Sequence, residues 1–79
     1  MRTKEYDVLR ALLKELRQAK GLSQEGLSTK MGRPITFVGK IETGTRRLDL
    51  IELMEVASAL ELDIAAIVAD FKRRLEVPG

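Results

Sequence analysis

Apolar residues recur at intervals of three and four through most of the chain, which is the spacing of one buried face of an α-helix. The longest such stripe lies between residues 7 and 20 and comprises Val8, Leu9, Leu12, Leu13, Leu16 and Ala19. Asp7 is expected to cap this first helix. Gly21 is expected to end it, because glycine readily takes the left-handed conformation that closes a helix. The stripe therefore predicts one helix over residues 7–20.

The same spacing continues beyond this helix in four shorter segments. The predicted helices span residues 24–31, 35–43, 50–60 and 64–75. Ser23 and Asp63 are expected N-caps, and Asp49 with Glu52 three residues later predicts a capping box. The buried stripe of the fourth helix is predicted to comprise Leu50, Leu53, Ala57 and Leu60. No alternating pattern typical of a strand competes, so the predicted fold class is all-α, with five helices.

The composition limits the chemistry that the chain can perform. Its 79 residues are enough for one small domain, and it contains neither cysteine nor histidine. Disulfides, thiolate metal sites and the commonest general base are thereby removed. We therefore expect a protein that is not an enzyme and that uses no metal and no cofactor. No apolar stretch reaches the roughly 18 residues that span a membrane, and no signal-peptide core is present, so a soluble, cytoplasmic protein is expected.

The charges are unevenly distributed along the chain, although the formal net charge is only +2. Residues 1–47 contain 11 Lys or Arg and 5 acidic residues, a net charge of +6, whereas residues 48–79 contain 3 and 7, a net charge of −4. Chance clustering on solvated faces is one interpretation. The other is a basic surface for a polyanion, with a separate acidic end.

Two of the predicted short helices, 24–31 and 35–43, are separated by only three residues, which include Gly32. Arg33 precedes a proline and is therefore disfavoured in a helix, so the chain must turn there. Two short helices joined by a tight turn are the sequence form of a helix-turn-helix, in which the second helix enters the DNA major groove. Any two neighbouring helices of a bundle could show this spacing. The identities of the residues are therefore needed to distinguish a helix-turn-helix from an ordinary helix pair.

Those residues follow a known pattern. The matching positions are Leu16-Arg17, Gly21-Leu22-Ser23-Gln24-Glu25, Leu27, Gly32, Val38, Lys40-Ile41-Glu42, Gly44, Arg46-Arg47, Leu53, Ala57 and Leu60. In types and spacing they resemble the Xre family of helix-turn-helix regulators, which includes the phage repressor and Cro proteins. The resemblance covers about residues 9–71 without a gap. It implies a five-helix lambda-repressor-like bundle and a sequence-specific DNA-binding transcriptional regulator.

The resemblance also implies roles for individual positions. Residues expected to contact bases are Ile35, Thr36, Phe37, Gly39 and Lys40. Residues expected to contact the DNA backbone are Ser23, Gln24, Arg33, Thr43, Thr45, Arg46 and Arg47. Arg17 and Glu42 match a pair that forms an interior ion bridge between the first and third helices. For Gln24 the alternative is a good helix-start residue and nothing more, and for Arg46 and Arg47 it is simple solvation.

Several positions depart from the family pattern. Gly26 stands in place of the capping-box Glu, Pro34 in place of a Ser or Thr cap, and Ser28 in place of a small alanine. The serine hydroxyl needs a partner, such as a carbonyl one turn back. Ile35 and Phe37 are apolar where hydrogen-bonding side chains are common, so base readout there would be contact with a thymine methyl group. The alternative is that Phe37 packs inward or faces a protein partner.

The last two predicted helices carry more apolar surface than one small core needs. The excess comprises Ile51, Met54, Ile64, Val68 and Phe71. We predict a homodimer interface that includes Ile64, Val68 and Phe71, with core packing as the alternative for each of them. A two-fold dimer would place two recognition helices about 34 Å apart, one turn of DNA. The predicted partners are therefore a second copy of the chain and double-stranded DNA with a near-palindromic operator.

A second hypothesis is a protein-interaction module that uses the same fold, such as an antitoxin that masks a toxin. Ile35 and Phe37 would favour this hypothesis if both were exposed, because apolar side chains on a surface mark protein contacts. Restriction–modification controllers, small phage regulators and antitoxins all remain compatible with the sequence.

Overall fold

The structure, a computed structural model, describes residues 3–76, and all regular structure within that range is helical. The helices are α1 (Lys4–Ala19), α2 (Gln24–Lys30), α3 (Phe37–Thr43), α4 (Leu50–Ala59) and α5 (Ile64–Glu76). The predicted fold class, all-α with five helices, is confirmed. None of these helices is both long enough and apolar enough to cross a bilayer.

Helix α1 begins three residues earlier than the sequence predicts. Thr3 is its N-cap, and the Thr3 hydroxyl accepts a hydrogen bond from the Tyr6 N–H at 3.1 Å. The prediction of Asp7 as the cap is therefore wrong, because a hydroxyl one turn earlier already satisfies a free N–H group at the helix start. Asp7 instead pairs with Arg10 within the helix.

The other predicted caps are present. The Ser23 hydroxyl accepts from the Gly26 N–H at 2.9 Å, so α2 is capped even without a reciprocal Glu. Asp49 and Glu52 form the full capping box of α4, with N···O distances of 2.7 and 3.0 Å. Asp63 accepts from the Ala65 N–H at the start of α5. Local sequence thus sets where these three helices begin.

Helix α3 starts at Phe37, two residues later than the periodicity predicts. Pro34, Ile35 and Thr36 form a turn closed by the Phe37 N–H, which donates to the Pro34 carbonyl at 2.9 Å. The helix ends at Gly44, whose φ of 85° lies in the left-handed region. This φ favours glycine, and a Cβ at residue 44 would in addition lie 3.3 Å from the Arg10 guanidinium, which would have to shift slightly.

All five helices contribute to one core. It comprises Leu12, Leu13, Leu27, Phe37, Val38, Ile41, Val56, Ala57, Leu60 and Ile67. Leu50, predicted to belong to the buried stripe of α4, is instead 65% exposed. Leu50 lies on the side of α4 that faces away from the core, together with the exposed Met54, so the prediction for this residue is wrong.

Candidate nucleic-acid interface

A single buried hydroxyl joins the two helices of the helix-turn-helix. The Ser28 hydroxyl donates to the Gln24 carbonyl at 2.9 Å, one turn back in α2, which is the kind of partner the sequence predicts. The same oxygen accepts from the Val38 N–H at 3.0 Å. That N–H belongs to the second residue of α3 and would otherwise lack an acceptor, because Thr36 makes no side-chain cap. Ser28 of α2 therefore caps α3.

The pair of Arg17 and Glu42 is present and buried. Arg17 Nε lies 2.7 Å from Glu42 Oε2, and Arg17 Nη2 donates to Glu42 Oε1 at 3.0 Å. The remaining Arg17 nitrogen, Nη1, donates to the Leu22 carbonyl at 2.7 Å. Gln24 Nε2 also donates to Glu42 Oε1, at 2.9 Å. One carboxylate of α3 thus binds side chains of α1 and α2.

Gln24 fits against α3 because residue 39 is a glycine. A Cβ placed on Gly39 would lie 3.1 Å from Gln24 Oε1, so a larger residue would require the end of the Gln24 side chain to shift by a few tenths of an ångström. The structure therefore gives Gly39 a packing role. The base contact expected of it from the sequence remains a prediction.

Phe37 does not face outward. Its side chain is 5% exposed and belongs to the core, so the prediction of a base contact is wrong and the alternative of inward packing is correct. The Arg33 and Arg46 guanidinium carbons lie 4.9 and 4.8 Å from the centroid of its ring. At this distance both guanidinium groups are attracted by the face of the ring, and they cover the part of the ring that the core does not bury.

Arg33 and Arg46 are also bound to carboxylates of α4. Arg46 donates two hydrogen bonds to Glu52, at 2.9 and 2.7 Å. Arg33 donates to Glu55 at 2.8 Å through Nη2 and at 3.2 Å through Nε. The hydrogen bonds from Arg46 and from the Asp49 N–H lower the pKa of Glu52 from 4.5 to about 2. Both arginines were expected to contact phosphate, but the structure shows them paired within the protein.

The exposed polar residues of the motif lie around the start and end of α3. Here "the α3 edge" means Ile35, Thr36, Lys40, Thr43, Thr45 and Arg47, all exposed. Ile35 is 57% exposed and is the large apolar residue of this edge. Within residues 3–76, neither Lys40 nor Arg47 forms an ion pair, so their charges remain available to an anionic ligand. Ser23 and Gln24, at the start of α2, are exposed as well.

Two side chains of α1 hold the end of α3 and the loop that follows it, and sequence reasoning missed both contacts. The Tyr6 hydroxyl donates to the Arg46 carbonyl at 3.1 Å, and Arg10 Nη1 donates to the Glu42 carbonyl at 3.1 Å. Burial raises the pKa of Tyr6 above its ordinary value. Arg10 lies at the carboxyl end of α3, where the helix dipole also favours a positive charge. These partners are about 30 to 40 residues apart in the sequence, so no local pattern indicates them.

A separate apolar groove lies between α4 and α5. Leu50, Met54, Ile64 and Val68 line it, and none of them is fully buried. Phe71, which the sequence groups with Ile64 and Val68, is not part of this groove. It is half-buried against the core and lines a different cleft. Its place in a dimer interface remains a prediction.

Residues 13–67 match the family model described as Helix-turn-helix. No curated protein sequence matches the chain. An XRE-family like protein from Pseudomonas syringae pv. tomato str. DC3000 is 37% identical, with 89% of this chain and 85% of that chain covered and a TM-score of 0.82.

Two restriction-modification controller proteins also have similar structures. C.AhdI from Aeromonas hydrophila is 34% identical, with 82% of this chain and 98% of that chain covered and a TM-score of 0.75. Wild-type C.Esp1396I is 20% identical, with 99% and 100% covered and a TM-score of 0.89, a likeness that concerns the fold alone.

The fold and the site define a helix-turn-helix DNA-binding regulator. The chain belongs to the XRE-type helix-turn-helix family, as the match over residues 13–67 and the 37% identical relative show. The Xre resemblance and the lambda-repressor-like five-helix fold are thereby confirmed. The protein is a DNA-binding transcriptional regulator.

Proposed function

We propose that the protein binds a near-palindromic operator as a homodimer, with α3 of each subunit in the major groove of one half-site. The observation that carries this proposal is the presence of two separate exposed surfaces. One is the polar and basic α3 edge, and the other is the apolar groove between α4 and α5. A DNA-binding dimer needs both, one surface for the nucleic acid and one for its second copy.

The α3 edge supplies the proposed DNA contacts. Ile35, Thr36 and Lys40 approach the base edges, with the Ile35 side chain against thymine methyl groups. Lys40 reaches a guanine acceptor or a phosphate. Contacts to the DNA backbone come from exposed residues on either side of this region. They are Ser23, Gln24, Thr43, Thr45 and Arg47.

The apolar groove supplies the proposed subunit contact. Leu50 and Met54 of α4 and Ile64 and Val68 of α5 would be buried against the same residues of a second copy. Because one short recognition helix makes few contacts, dimerisation and tight DNA binding are expected to be coupled. The 34% identity to C.AhdI favours a role in controlling a restriction–modification system over the other regulators of this size.

Selection from a random DNA library tests the DNA part of the proposal. We expect the purified protein to enrich a sequence with two inverted half-sites about one helical turn apart. Affinity for the enriched sequence should exceed affinity for random DNA by about a thousandfold or more. Binding that stays near 10⁻⁴–10⁻⁶ M on every sequence, as in non-specific association, would contradict the proposal.

Charge placed in the groove tests the dimer. Met54→Asp should shift the protein to monomer in sedimentation experiments and weaken operator binding. Ser58→Asp is the matched control, because it adds the same charge to an exposed position of α4 outside the groove. If Met54→Asp leaves the dimer intact, the groove is not the interface.

The protein-interaction hypothesis retains one supporting observation, the exposed side chain of Ile35. The other expected residue, Phe37, is buried and cannot meet a partner. A single apolar side chain in a basic, polar edge is less than a protein-docking surface needs. DNA recognition is therefore the better-supported function for this edge.

A further inference from the structure

The start of α3 is connected to α4 by a cluster of five side chains. We call this cluster the arginine clamp: Arg33, Phe37, Arg46, Glu52 and Glu55. Arg33 precedes α3, Phe37 is its first residue and Arg46 follows it, whereas both carboxylates are on α4. The two guanidinium groups contact the ring of Phe37 and the two carboxylates at once.

The donors of both guanidinium groups are directed at carboxylates. Arg46 uses Nη1 and Nη2 on the two oxygens of Glu52, which is the paired geometry that matches a planar fork to a carboxylate. Arg33 uses Nη2 and Nε on Glu55, and its Nη1 lies 3.8 Å from Glu52. A DNA phosphate would therefore have to compete with these carboxylates for the two guanidinium groups. Within residues 3–76, by contrast, Lys40 and Arg47 form no ion pair with which a phosphate would have to compete.

The clamp and the apolar groove lie on different sides of α4. Glu52 follows Leu50 by two residues, which is about 200° around a helix. Leu50 and Met54 line the groove, whereas Glu52 is buried against the clamp arginines. One rigid helix thus carries the proposed dimer contact on one side and the attachment of the recognition helix on the other.

We propose that the arginine clamp is a positioning device that sets the orientation of α3 relative to α4, and that Arg33 and Arg46 do not serve as phosphate ligands. This inference rests on the proposed function. In a homodimer joined through α4 and α5, the orientation of α3 on α4 determines the distance between the two recognition helices. The clamp therefore determines which half-site spacing the protein accepts.

Glu55→Gln distinguishes the two roles by the direction of its effect. A phosphate-binding Arg33 would be released by this change, and affinity for all DNA would rise. A positioning Arg33 loses its anchor, so we expect affinity for the selected operator to fall about fivefold. Affinity for random DNA should rise no more than it does in Glu25→Gln. That control removes the same charge from an exposed carboxylate of α2, which has no ion pair within residues 3–76.

Arg33→Lys provides a second, independent measurement. Lysine keeps the charge but cannot form the planar, multiply bonded contact or stack on the ring. If residue 33 is a phosphate ligand, the lysine variant should retain most of the operator affinity and the full salt dependence of binding. As a clamp residue it should lower operator affinity as much as Glu55→Gln does, with the slope of log affinity against log salt unchanged. Arg47→Ala should reduce that slope by about one charge per subunit.

The deciding readout is a series of operators in which the half-sites are moved apart or together by single base pairs. Wild type should show a sharp optimum, and Glu55→Gln and Arg33→Lys should broaden it. Arg47→Ala should weaken binding equally at every spacing. Unchanged spacing preference in both clamp variants, or an operator affinity of Arg33→Lys close to that of wild type, would overturn the inference. A wild-type protein with no spacing optimum would instead contradict the homodimer itself, so the two failures are distinguishable.

Discussion

The helix-turn-helix end and the α4–α5 groove are stabilised in opposite ways. Around α2 and α3, buried polar groups hold the backbone through directed bonds: Ser28 to Val38, and Glu42 to Arg17 and Gln24. The groove contains aliphatic side chains that its own chain does not cover. The first region needs an exact orientation, and hydrogen bonds supply it because they depend on angle as well as distance.

The groove needs association strength, which apolar burial supplies in proportion to area and with little dependence on direction. The same small chain thus uses directional contacts where it must read a ligand of fixed shape. It uses non-directional contacts where it must bind a second copy. Variants at each region should therefore fail in different ways, and the polar region should be the more sensitive to single changes.

Glu42→Ala is expected to have the largest effect. It leaves the buried Arg17 guanidinium without its carboxylate, at a cost of about 3–5 kcal/mol in the free energy of unfolding. Denaturant unfolding followed by circular dichroism measures this cost. The control is Glu15→Ala, which breaks an ion pair with Arg74 at the surface and should leave stability nearly unchanged. Equal losses of unfolding free energy in the two variants would show that the buried pair of Arg17 and Glu42 stabilises the fold no more than the surface pair does.

Acid should weaken the clamp before it affects the groove. The pKa of Glu52 is lowered from 4.5 to about 2, so its pairing stabilises the fold above pH 4.5 and this contribution is lost as the pH falls from 4.5 to 2. Wild type should be more stable than Glu52→Gln at neutral pH, and the difference should shrink through this window. A difference that stays constant down to pH 2 would contradict the assignment. Unfolding curves at a series of pH values measure it.

Ser28→Ala should have an intermediate effect. It removes the acceptor of the buried Val38 N–H, at a cost of about 1–3 kcal/mol in unfolding free energy. Thr29→Ala is the control, because Thr29 is the exposed neighbour on the same helix. Amide hydrogen exchange at Val38 should accelerate in Ser28→Ala and not in the control. Unchanged exchange would mean that another group caps α3.

Loss of thymine methyl groups should have the smallest effect. Operator DNA with uracil in place of thymine lacks only these methyls, each worth about 0.8 kcal/mol when buried, or about fourfold in affinity. Wild type should bind uracil-containing operator more weakly, and Ile35→Ala should be insensitive to the exchange. If wild type and Ile35→Ala lose the same affinity on uracil-containing operator, Ile35 does not contact the thymine methyl groups. Competition binding on paired oligonucleotides is sufficient to measure it.

The elements that the sequence predicts well are those set by neighbouring residues. Ser23, Asp49 and Asp63 cap helices because their side chains reach an N–H two or three residues away. The cap of α1 was misplaced because Thr3 and Asp7 both satisfy the local pattern. Only the packing of the first turn, which Tyr6 anchors to the loop after α3, decides between them.

The errors in the candidate site have a different cause. Phe37 was assigned to the DNA surface because the resemblance to the Xre family places this position on the face of the third helix that is turned toward base edges. In the structure Phe37 is covered by Arg33 and by Arg46, a residue beyond the end of α3. Such an arrangement depends on where three separate segments meet, and hydrophobic periodicity contains no information about it. Leu50 is another case, because periodicity groups apolar residues on a helix but does not show that Leu50 lines the groove and not the core.

The hydroxyl that caps α3 from α2 has a consequence for protein engineering. Transplanting α3 alone into a different helix-turn-helix scaffold would leave the Val38 N–H without an acceptor unless the recipient offers a hydroxyl at the position of Ser28. An exchange therefore has to carry α2 together with α3. A chimera that contains both helices keeps this cap, whereas the isolated seven-residue helix loses it.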